Sequence, residues 1–371
     1  MTISNILFLL GLFLLVFYDI YLLIFHSGLR KDESEPNYRK SAVSVVVAAR
    51  NEEQNIGRLL TSLINQSYPQ ELYEIIIAND RSNDKTAQII EDFCSKWTNI
   101  RLVNIESTPE GISPKKFALS RAIEESQNEI ILLTDADCLV TKYWIEAMVS
   151  KFSQKISMVA GFSRTQLPNW KKSSILHRFE FFDFLLMFMA AAGAILSGKY
   201  FSCSNQNLAY RRQSFYQVGG FEKIKHLLSG DDVNLLQLFR KKNLKVTFSL
   251  IGHSFVYTQP VKSFSHLISQ RSRWASNSKW QLALNPEFFI YLVIVFSLHL
   301  VMLILLFLSW QTALLLFAGK FVSEFIFVAL NFTKFESERG RLTFFPVWAI
   351  IQPFYLIFVA FRGLFDFFSW K

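Results

Sequence analysis

Three cysteines in 371 residues are too few for a disulfide framework. Cys94, Cys138 and Cys203 are odd in number and follow no metal-ligand spacing, so they indicate reduced cytosolic thiols. The sequence also has no internal repeat and no low-complexity stretch. The apolar run at residues 3–25 lacks the basic start and the small-residue cleavage site of a secretory signal peptide, so we interpret it as a membrane anchor.

Apolar and charged residues are both abundant, which excludes a purely soluble protein. Hydrophobic residues make up 51% of the chain and phenylalanine alone numbers 38, while 19% of the residues are charged. The run 3–25 carries one charge, Asp19, and is long enough to cross the ~30 Å hydrocarbon core of a bilayer. This mixture predicts membrane segments attached to a water-soluble domain.

The formal net charge is +9, and basic residues lie beside the apolar runs. They are Arg30, Lys31, Arg39 and Lys40 after the first run, and Arg271, Arg273 and Lys279 before the second. This placement agrees with the positive-inside rule and with contact to anionic lipid headgroups better than it agrees with binding to a nucleic acid. We therefore expect a lipid bilayer as a partner, and no nucleic acid.

Three further apolar runs predict membrane spans, at about residues 288–308, 313–332 and 344–364. Only residues 309–312 separate the first two, which predicts a hairpin. Lys334, Arg339 and Arg341 indicate that the next loop is cytoplasmic. We therefore expect a multi-pass protein of the inner cell membrane, with a cytoplasmic catalytic domain and both termini outside the cytoplasm.

The predicted domains are consecutive blocks of sequence: an anchor at 1–28, a catalytic domain at 41–250, interfacial helices at 251–286 and membrane helices at 287–371. One apolar run, residues 181–198, falls inside the catalytic block. A span there would put the flanking site residues on opposite sides of the membrane. We expect an interfacial or buried helix instead.

The block 41–250 alternates strands with helices. Buried-type apolar runs predict strands at 43–49, 74–80, 100–106 and 129–137. Apolar residues at helical spacing predict helices near 56–64, 88–93 and 117–125. This order predicts an α/β fold with a mostly parallel sheet, whose ligands bind at the carboxyl ends of the strands. The polar residues expected at that edge are Asn51, Glu52, Asp80, Asp135 and Asp137.

Asp135 and Asp137 end the fourth predicted strand, where alternation directs both carboxylates to the same side. Two hard oxygen ligands suit Mg²⁺ or Mn²⁺, with diphosphate oxygens and water completing the octahedron. The alternative is that one aspartate caps the next helix, but Thr141 already stands at that position. We predict a metal site at this pair.

Other polar groups follow the second and third predicted strands. Asp80 could accept a hydrogen bond from a uracil N3–H or a ribose hydroxyl. Its alternative role is in an Asx-turn, which Asp84 can fill instead. Lys115 and Lys116 precede a helix, where a cation could hold phosphate charge, and a solvated pair of lysines is the alternative.

Asp231 and Asp232 open a predicted helix. Two adjacent acids exceed what a helix cap requires, and a carboxylate near an acceptor hydroxyl can take its proton as a general base. Helix capping with favourable macrodipole interactions remains the alternative.

A third group of candidates lies near residue 270. Gln270, Arg273 and Trp274 stand at i, i+3 and i+4 of a predicted helix and share one face, with Arg271 pointing elsewhere. Arg273 could stabilise a leaving diphosphate, and Trp274 could offer a flat wall to a sugar or lipid. The alternative is a juxtamembrane helix with ordinary interfacial arginine and tryptophan.

Together these segments resemble the family 2 glycosyltransferases, which are inverting enzymes with a GT-A fold. The resemblance runs from about residue 43 to residue 274. It rests on seven motifs in order: VVVAARNEE, Asn79-Asp80, Lys115, Asp135-Ala-Asp137, Asn207-Leu-Ala-Tyr-Arg-Arg, Gly230-Asp231-Asp232 and Gln270-x-x-Arg273-Trp274.

The resemblance implies a role for each motif. A nucleotide-sugar donor would contact Asn51, Glu52 and Asp80 through its nucleoside and Lys115 through its phosphate. Asp135 and Asp137 would hold the metal, and Asp232 would be the base, with Asp231 as the alternative. Gln270, Arg273 and Trp274 would close over the diphosphate, and the expected acceptor contacts are Asn207 and Trp274.

Asn79 stands where the family usually has aspartate, and two further positions differ from a glycine that the family often has. Pro114 precedes the lysine, and Asn205 precedes the asparagine motif, where it could change acceptor contacts.

The arrangement of spans resembles enzymes that glycosylate ceramide, hopanoids and carotenoids. We expect transfer of a hexose from a UDP-sugar to a membrane lipid hydroxyl. A processive polysaccharide synthase is the alternative, although such enzymes have more membrane helices. An inactive scaffold is a third possibility, disfavoured because Asp135, Asp137 and Asp232 are intact.

Overall fold

The computed structural model describes residues 2–31 and 40–367, so the predicted basic residue Arg39 lies outside the described residues. The chain forms two compact units that interleave along the sequence. The helical unit comprises Met1–Lys31, Leu167–Lys199 and Pro260–Lys371, and the α/β unit comprises Asp32–Gln166 and Tyr200–Gln259. The predicted blocks were consecutive, whereas residues 167–199 pack with the helical unit.

The strands of the described chain all belong to the α/β unit. They are β1 (Val43–Ala49), β2 (Tyr73–Asp80), β3 (Ile100–Ile105), β4 (Ile130–Leu133), β5 (Cys138–Val140), β6 (Ile156–Gly161), β7 (Ser163–Thr165), β8 (Leu208–Arg211), β9 (Lys245–Ser249) and β10 (Val256–Thr258).

The helices occur in both units. They are α1 (Ile3–Arg30), α2 (Ile56–Ile64), α3 (Thr86–Cys94), α4 (Pro114–Glu125), α5 (Trp144–Val149), α6 (Ile175–Leu196), α7 (Arg212–Gln217), α8 (Val233–Lys241), α9 (Phe264–Ala275), α10 (Ser278–Leu284), α11 (Pro286–Leu308), α12 (Trp310–Asn331) and α13 (Phe345–Leu364).

A mixed sheet of order β3-β2-β1-β4-β8-β6-β9 is the centre of the α/β unit. β3, β2, β1 and β4 pair in parallel through crossovers that contain α2, α3 and α4, while β8 runs antiparallel to both β4 and β6. The predicted α/β fold with a mostly parallel sheet is confirmed. β5, β10 and β7 form a second, small sheet.

The burial of residues in this unit explains why the parallel strands could be predicted from the sequence. β1 is buried along almost its whole length, as expected for a strand with helices on both faces. Helix α2 buries Ile56, Leu59, Leu60 and Leu63, the face that its apolar spacing predicted. The fourth strand is shorter than predicted, since β4 ends at Leu133 and the Asp-Ala-Asp segment lies in the turn before β5.

The helical unit contains the segments that are long and apolar enough to cross a membrane. These are α1, α6, α11, and the helical segments 310–334 and 339–364 that contain α12 and α13. The predicted amino-terminal span and the three carboxyl-terminal spans coincide with four of them, and Ser309 alone separates α11 from α12. The predicted helix at 181–198 corresponds to α6, most of whose residues are buried.

Close helix contacts and one buried polar cluster hold this unit together. A Cβ on Gly28 of α1 would lie 2.1 Å from the carbonyl oxygen of Gly193 on α6, so only glycine permits this crossing. Lys320 Nζ on α12 donates to Glu324 at 2.7 Å, and the hydroxyl of Tyr18 on α1 donates to the same carboxylate at 2.5 Å. The cluster therefore connects α1 to α12 through buried, mutually satisfied polar groups.

Candidate active site

The loops that follow β1 and β2 interlock at the carboxyl edge of the sheet. The Asn83 N–H donates to Asn51 Oδ1 at 2.8 Å, and the Asn51 N–H donates to Ser82 Oγ at 3.0 Å. Asn51 adopts a positive φ of 56°, a conformation that asparagine tolerates better than most residues. The Glu52 N–H donates to Thr86 Oγ1 at 2.7 Å. The predicted nucleoside residues Asn51 and Glu52 are thus held in a defined loop.

Asp80 ends β2, is buried, and is held by two arginines. Arg81 Nε lies 2.8 Å from one carboxylate oxygen, and Arg50 Nη1 lies 3.8 Å from the other. An ionised carboxylate has about four acceptor positions, so these contacts leave capacity for a nucleoside donor. Asp84 has the turn role expected of it, since it accepts from the N–H of Thr86 at 3.0 Å.

Asp135 and Asp137 lie in the turn after β4, both half-buried, with Ala136 buried between them. Burial and repulsion by Asp135 and Glu52 raise the pKa of Asp137 to about 6. No group of three metal-binding acids, histidines or cysteines exists among residues 2–31 and 40–367. Two carboxylates with excess negative charge fit a Mg²⁺ or Mn²⁺ ion that takes its remaining ligands from substrate phosphate and water.

Lys115, at the start of α4, lies between a predicted metal ligand and the acid next to the predicted base. Its Nζ lies 2.8 Å from Asp135 and 3.3 Å from Asp231. Burial opposes the charged form, but these two carboxylates outweigh it and raise the pKa of Lys115 above its usual range. Three motifs that are far apart in sequence therefore meet at one ammonium group.

Asp231 and Asp232 are adjacent but electrostatically different. Burial would raise the pKa of Asp231, yet the ammonium groups of Lys115 and Lys116 outweigh it and lower that pKa to about 2. For Asp232, burial and repulsion by Asp231 act together and raise the pKa to about 6. A base works best when its pKa lies near the working pH, which favours Asp232 for proton transfer.

Asp232 also caps helix α8, so the two roles considered for it are compatible. Its Oδ1 accepts the N–H of Val233 at 2.6 Å, and its Oδ2 accepts the N–H of Asn205 at 3.3 Å.

Two residues that the sequence analysis named, Asn205 and Lys116, make contacts at this site that were not predicted. The Asn205 side-chain amide donates to Asp231, and Lys116 Nζ donates to the carbonyls of Leu227 at 2.5 Å and Ser229 at 2.9 Å. Burial lowers the pKa of Lys116 to about 8. The departure of Asn205 from the family glycine was a usable signal, whereas no pattern in the sequence distinguishes the buried Lys116 from its neighbour.

Asn207, expected to contact the acceptor, is used inside the α/β unit instead. It is fully buried, its Nδ2 donates to the carbonyls of Phe162 at 2.9 Å and Ser254 at 2.7 Å, and its Oδ1 accepts from Trp144 Nε1 at 3.0 Å. With both amide groups engaged in the core, this geometry argues against an acceptor contact. The asparagine ties β8 to neighbouring segments.

Gln270, Arg273 and Trp274 lie on α9 of the helical unit. All three are half-buried, whereas Arg271 is buried, which agrees with a shared face that excludes Arg271. The Arg271 guanidinium nevertheless lies 4.2 Å from the centroid of the Trp274 ring.

Comparison with known proteins agrees with the fold and the motif order. Residues 44–219 match the family model Glycosyl transferase family 2. The chain is 26% identical over 301 residues to a probable glycosyltransferase, YdaM, of Bacillus subtilis, which covers 81% of this chain and 69% of that protein. It is 33% identical over 113 residues to the beta-monoglucosyldiacylglycerol synthase of Trichormus variabilis, across 30% of this chain and 24% of that protein.

A solved structure shares the architecture. The mannosyltransferase PcManGT from Pyrobaculum calidifontis, in complex with GDP-Man and Mn²⁺, matches with a TM-score of 0.63 at 17% identity, over 97% of this chain and 99% of that one. At this identity the similarity concerns the fold alone. The chain therefore contains a family 2 glycosyltransferase domain with the GT-A fold, joined to helices long and apolar enough to cross a membrane.

Proposed function

We propose that this glycosyltransferase moves a hexose from a nucleotide-sugar, a UDP-sugar in particular, to a hydroxyl of a membrane lipid, with inversion at the anomeric carbon. The observation that carries the proposal is the position of Lys115, whose Nζ lies 2.8 Å from Asp135 and 3.3 Å from Asp231. In this proposal a metal ligand, a phosphate-binding lysine and the acid beside the base therefore lie close together.

In this proposal the α/β unit supplies the binding groups and the base. The nucleoside contacts Asn51, Glu52 and Asp80. The ammonium group of Lys115 binds the donor phosphate. Asp135 and Asp137 would hold Mg²⁺ or Mn²⁺, and the bound ion would neutralise part of the diphosphate charge.

Asp232 takes the proton of the acceptor hydroxyl while its oxygen forms the new bond to the anomeric carbon. The bond from that carbon to the diphosphate breaks, and its electron pair leaves with the diphosphate. Attack from the face opposite the leaving group inverts the configuration. Gln270, Arg273 and Trp274 are proposed to act on the diphosphate and the acceptor.

The apolar helices support a lipid acceptor, because a soluble acceptor gains nothing from them. The name of the Trichormus variabilis relative, which is a diacylglycerol glycoside synthase, points in the same direction. The proposal also puts the catalytic domain on the cytoplasmic side of the inner membrane, where nucleotide-sugars are made.

Purified protein incubated with labelled nucleotide-sugars, Mn²⁺ and a total lipid extract tests the proposal. We expect a product that partitions into organic solvent, carries one or a few sugars, and stays short in excess donor. A long water-soluble polymer would support a processive synthase instead. Absence of both transfer and donor hydrolysis would favour the scaffold interpretation.

A further inference from the structure

Arg271 lies inside the motif helix α9 and has no role in the proposed function. It is only 4% exposed. Removing a guanidinium from water is costly, so a buried arginine needs compensating contacts. Those contacts come from α6 and α13, two helices that are distant from α9 in sequence.

The charge of Arg271 is balanced by Asp183 of α6. Arg271 Nε donates to Asp183 Oδ2 at 2.8 Å, and Tyr355 of α13 donates its hydroxyl to the same oxygen at 3.3 Å. Asp183 is buried as well, so this three-residue contact is shielded from solvent. Buried charged hydrogen bonds of this kind are strong and directional.

The same guanidinium contacts two motif side chains. Its Nη1 donates to Gln270 Oε1, and its central carbon lies 4.2 Å from the centroid of the Trp274 ring, in cation–π geometry. Phe184, the neighbour of Asp183 on α6, stacks on Trp274 with centroids 5.9 Å apart and an interplanar angle of 25°. The orientation of Trp274 is thus set by Arg271 on one helix and Phe184 on another.

Helix α13 also touches the backbone of α9. A Cβ on Gly363 would lie 2.6 Å from the Ser272 carbonyl oxygen and 2.8 Å from Ala275 Cβ, so any larger residue would push the helices apart. Tyr355 and Gly363 therefore support α9 at two points.

We propose that Arg271 is a positioning residue that fixes Gln270 and Trp274 of the Gln-x-x-Arg-Trp motif, and that Asp183 and Tyr355 fix Arg271. The helices α6 and α13 then do more than attach the enzyme to a membrane, because they determine how the motif side chains are presented. The inference rests on the proposed function in one respect, namely that the motif serves the transfer.

The contact itself can be tested without activity. The chain has eight tryptophans, so emission spectra of Arg271→Gln and Arg271→Lys are compared both with native Trp274 and in a Trp274→Phe background. We expect the Arg271 substitutions to change the spectrum only when Trp274 is present. The same change in both backgrounds would overturn the contact.

The positioning role needs kinetics. Arg271→Gln and Asp183→Asn should lower kcat about 10–100-fold, the cost of a misplacement of about 1 Å, while the Kd for UDP with Mn²⁺ is unchanged. Arg271→Lys should restore part of the rate, because it keeps the charge but loses the planar fork. Tyr355→Phe should give a smaller loss of kcat. If Arg271→Gln does not fold, the milder variants Arg271→Lys and Tyr355→Phe test the proposal.

Lys320→Met is the matched control, since it removes another buried ion pair of the helical unit, the one with Glu324 at 2.7 Å. It should leave kcat of the folded fraction unchanged. Equal losses in Lys320→Met and Arg271→Gln would reduce Arg271 to general stability and defeat the proposal. If the wild-type protein transfers no sugar, the proposed function fails, whereas the fluorescence comparison still decides whether Arg271 orients Trp274.

Discussion

Asp232→Asn should separate chemistry from binding at this site. The carboxylate accepts two backbone hydrogen bonds, from Val233 at 2.6 Å and from Asn205 at 3.3 Å. Asparagine offers one side-chain oxygen and keeps one of these hydrogen bonds, so the local structure loses about 1 kcal/mol and the cap of α8 persists. The proton acceptor, by contrast, is removed entirely.

Turnover should therefore fall by about 10²–10⁴-fold, the usual contribution of a general base. The affinity for UDP and its enhancement by Mn²⁺ should stay at the wild-type level. Burial and repulsion by Asp231 raise the pKa of Asp232 to about 6, so the wild-type rate should rise with pH through 6 and level off above it. This decrease of the rate at acid pH, the acid limb of the pH profile, should be missing in the variant.

Asp232→Asn should increase the stability of the fold, although it lowers the rate of transfer. Burial and repulsion by Asp231 raise the pKa of Asp232 from its ordinary value of 3.8 to about 6 in the folded chain, so ionisation at higher pH costs folding free energy. A difference of this size corresponds to about 3 kcal/mol at pH 8, and the lost hydrogen bond offsets about 1 kcal/mol of the gain. Asp232→Asn should thus raise the unfolding temperature at pH 8, and the advantage should vanish below pH 4.

Initial rates of UDP release, calorimetric UDP binding and thermal unfolding in detergent measure the three effects. Asp231→Asn is the matched variant, because Asp231 has a pKa of about 2 and pairs with Lys115 at 3.3 Å. It should weaken the organisation of the site and keep an acid limb, but move that limb below pH 6, because the repulsion by Asp231 that helps to raise the pKa of Asp232 is lost. A near-normal rate in Asp232→Asn, with the acid limb retained, would refute the assignment and leave Asp232 as a helix cap.

Three other outcomes are expected. Asp137→Ala should abolish transfer and the Mn²⁺-dependent part of UDP binding in calorimetry; an unchanged Mn²⁺ enhancement would remove this residue from the metal site. Lys115→Met should weaken UDP binding and raise the pKa of Asp231 by loss of its cation, whereas wild-type UDP affinity would exclude a phosphate contact. A cysteine at Ser4 should react with an impermeant reagent on intact cells, and protection of that cysteine would contradict the proposed orientation.

The regular parts of the fold could be predicted because buried strands and helices place apolar residues in the sequence in continuous runs or at regular intervals. β1 and β2 are apolar runs covered on both faces, and α2 repeats its apolar residues every three or four positions. The three-residue strands β5, β7 and β10 are too short to show a period, which is why the second sheet was not predicted. Similarly, composition marks α6 as apolar but not as part of the helical unit.

The site residues could be predicted where the chemistry requires a particular residue type at a strand end. They were harder to predict where packing determines whether a side chain faces the site or the core. Asp135, Lys115 and Asp231 were selected by motif order, and the structure brings their charged groups together. Asn207 matched a motif equally well, yet its amide is consumed by core hydrogen bonds. A motif match alone cannot distinguish a substrate contact from a buried structural amide, because both require the same side chain.

Lys115, together with Lys116, distinguishes the two adjacent aspartates. The two ammonium groups hold the pKa of Asp231 low against burial, whereas burial raises the pKa of Asp232 and the fixed negative charge of Asp231 raises it further. Asp231 thus makes its neighbour a stronger base at neutral pH without taking the proton itself. Because the same ammonium contacts Asp135, the strength of the base and the charge at the metal-ligand pair depend on one side chain. A donor phosphate that draws Lys115 away from Asp231 would therefore change base and donor site together, which is a physical reason for both acids to be present.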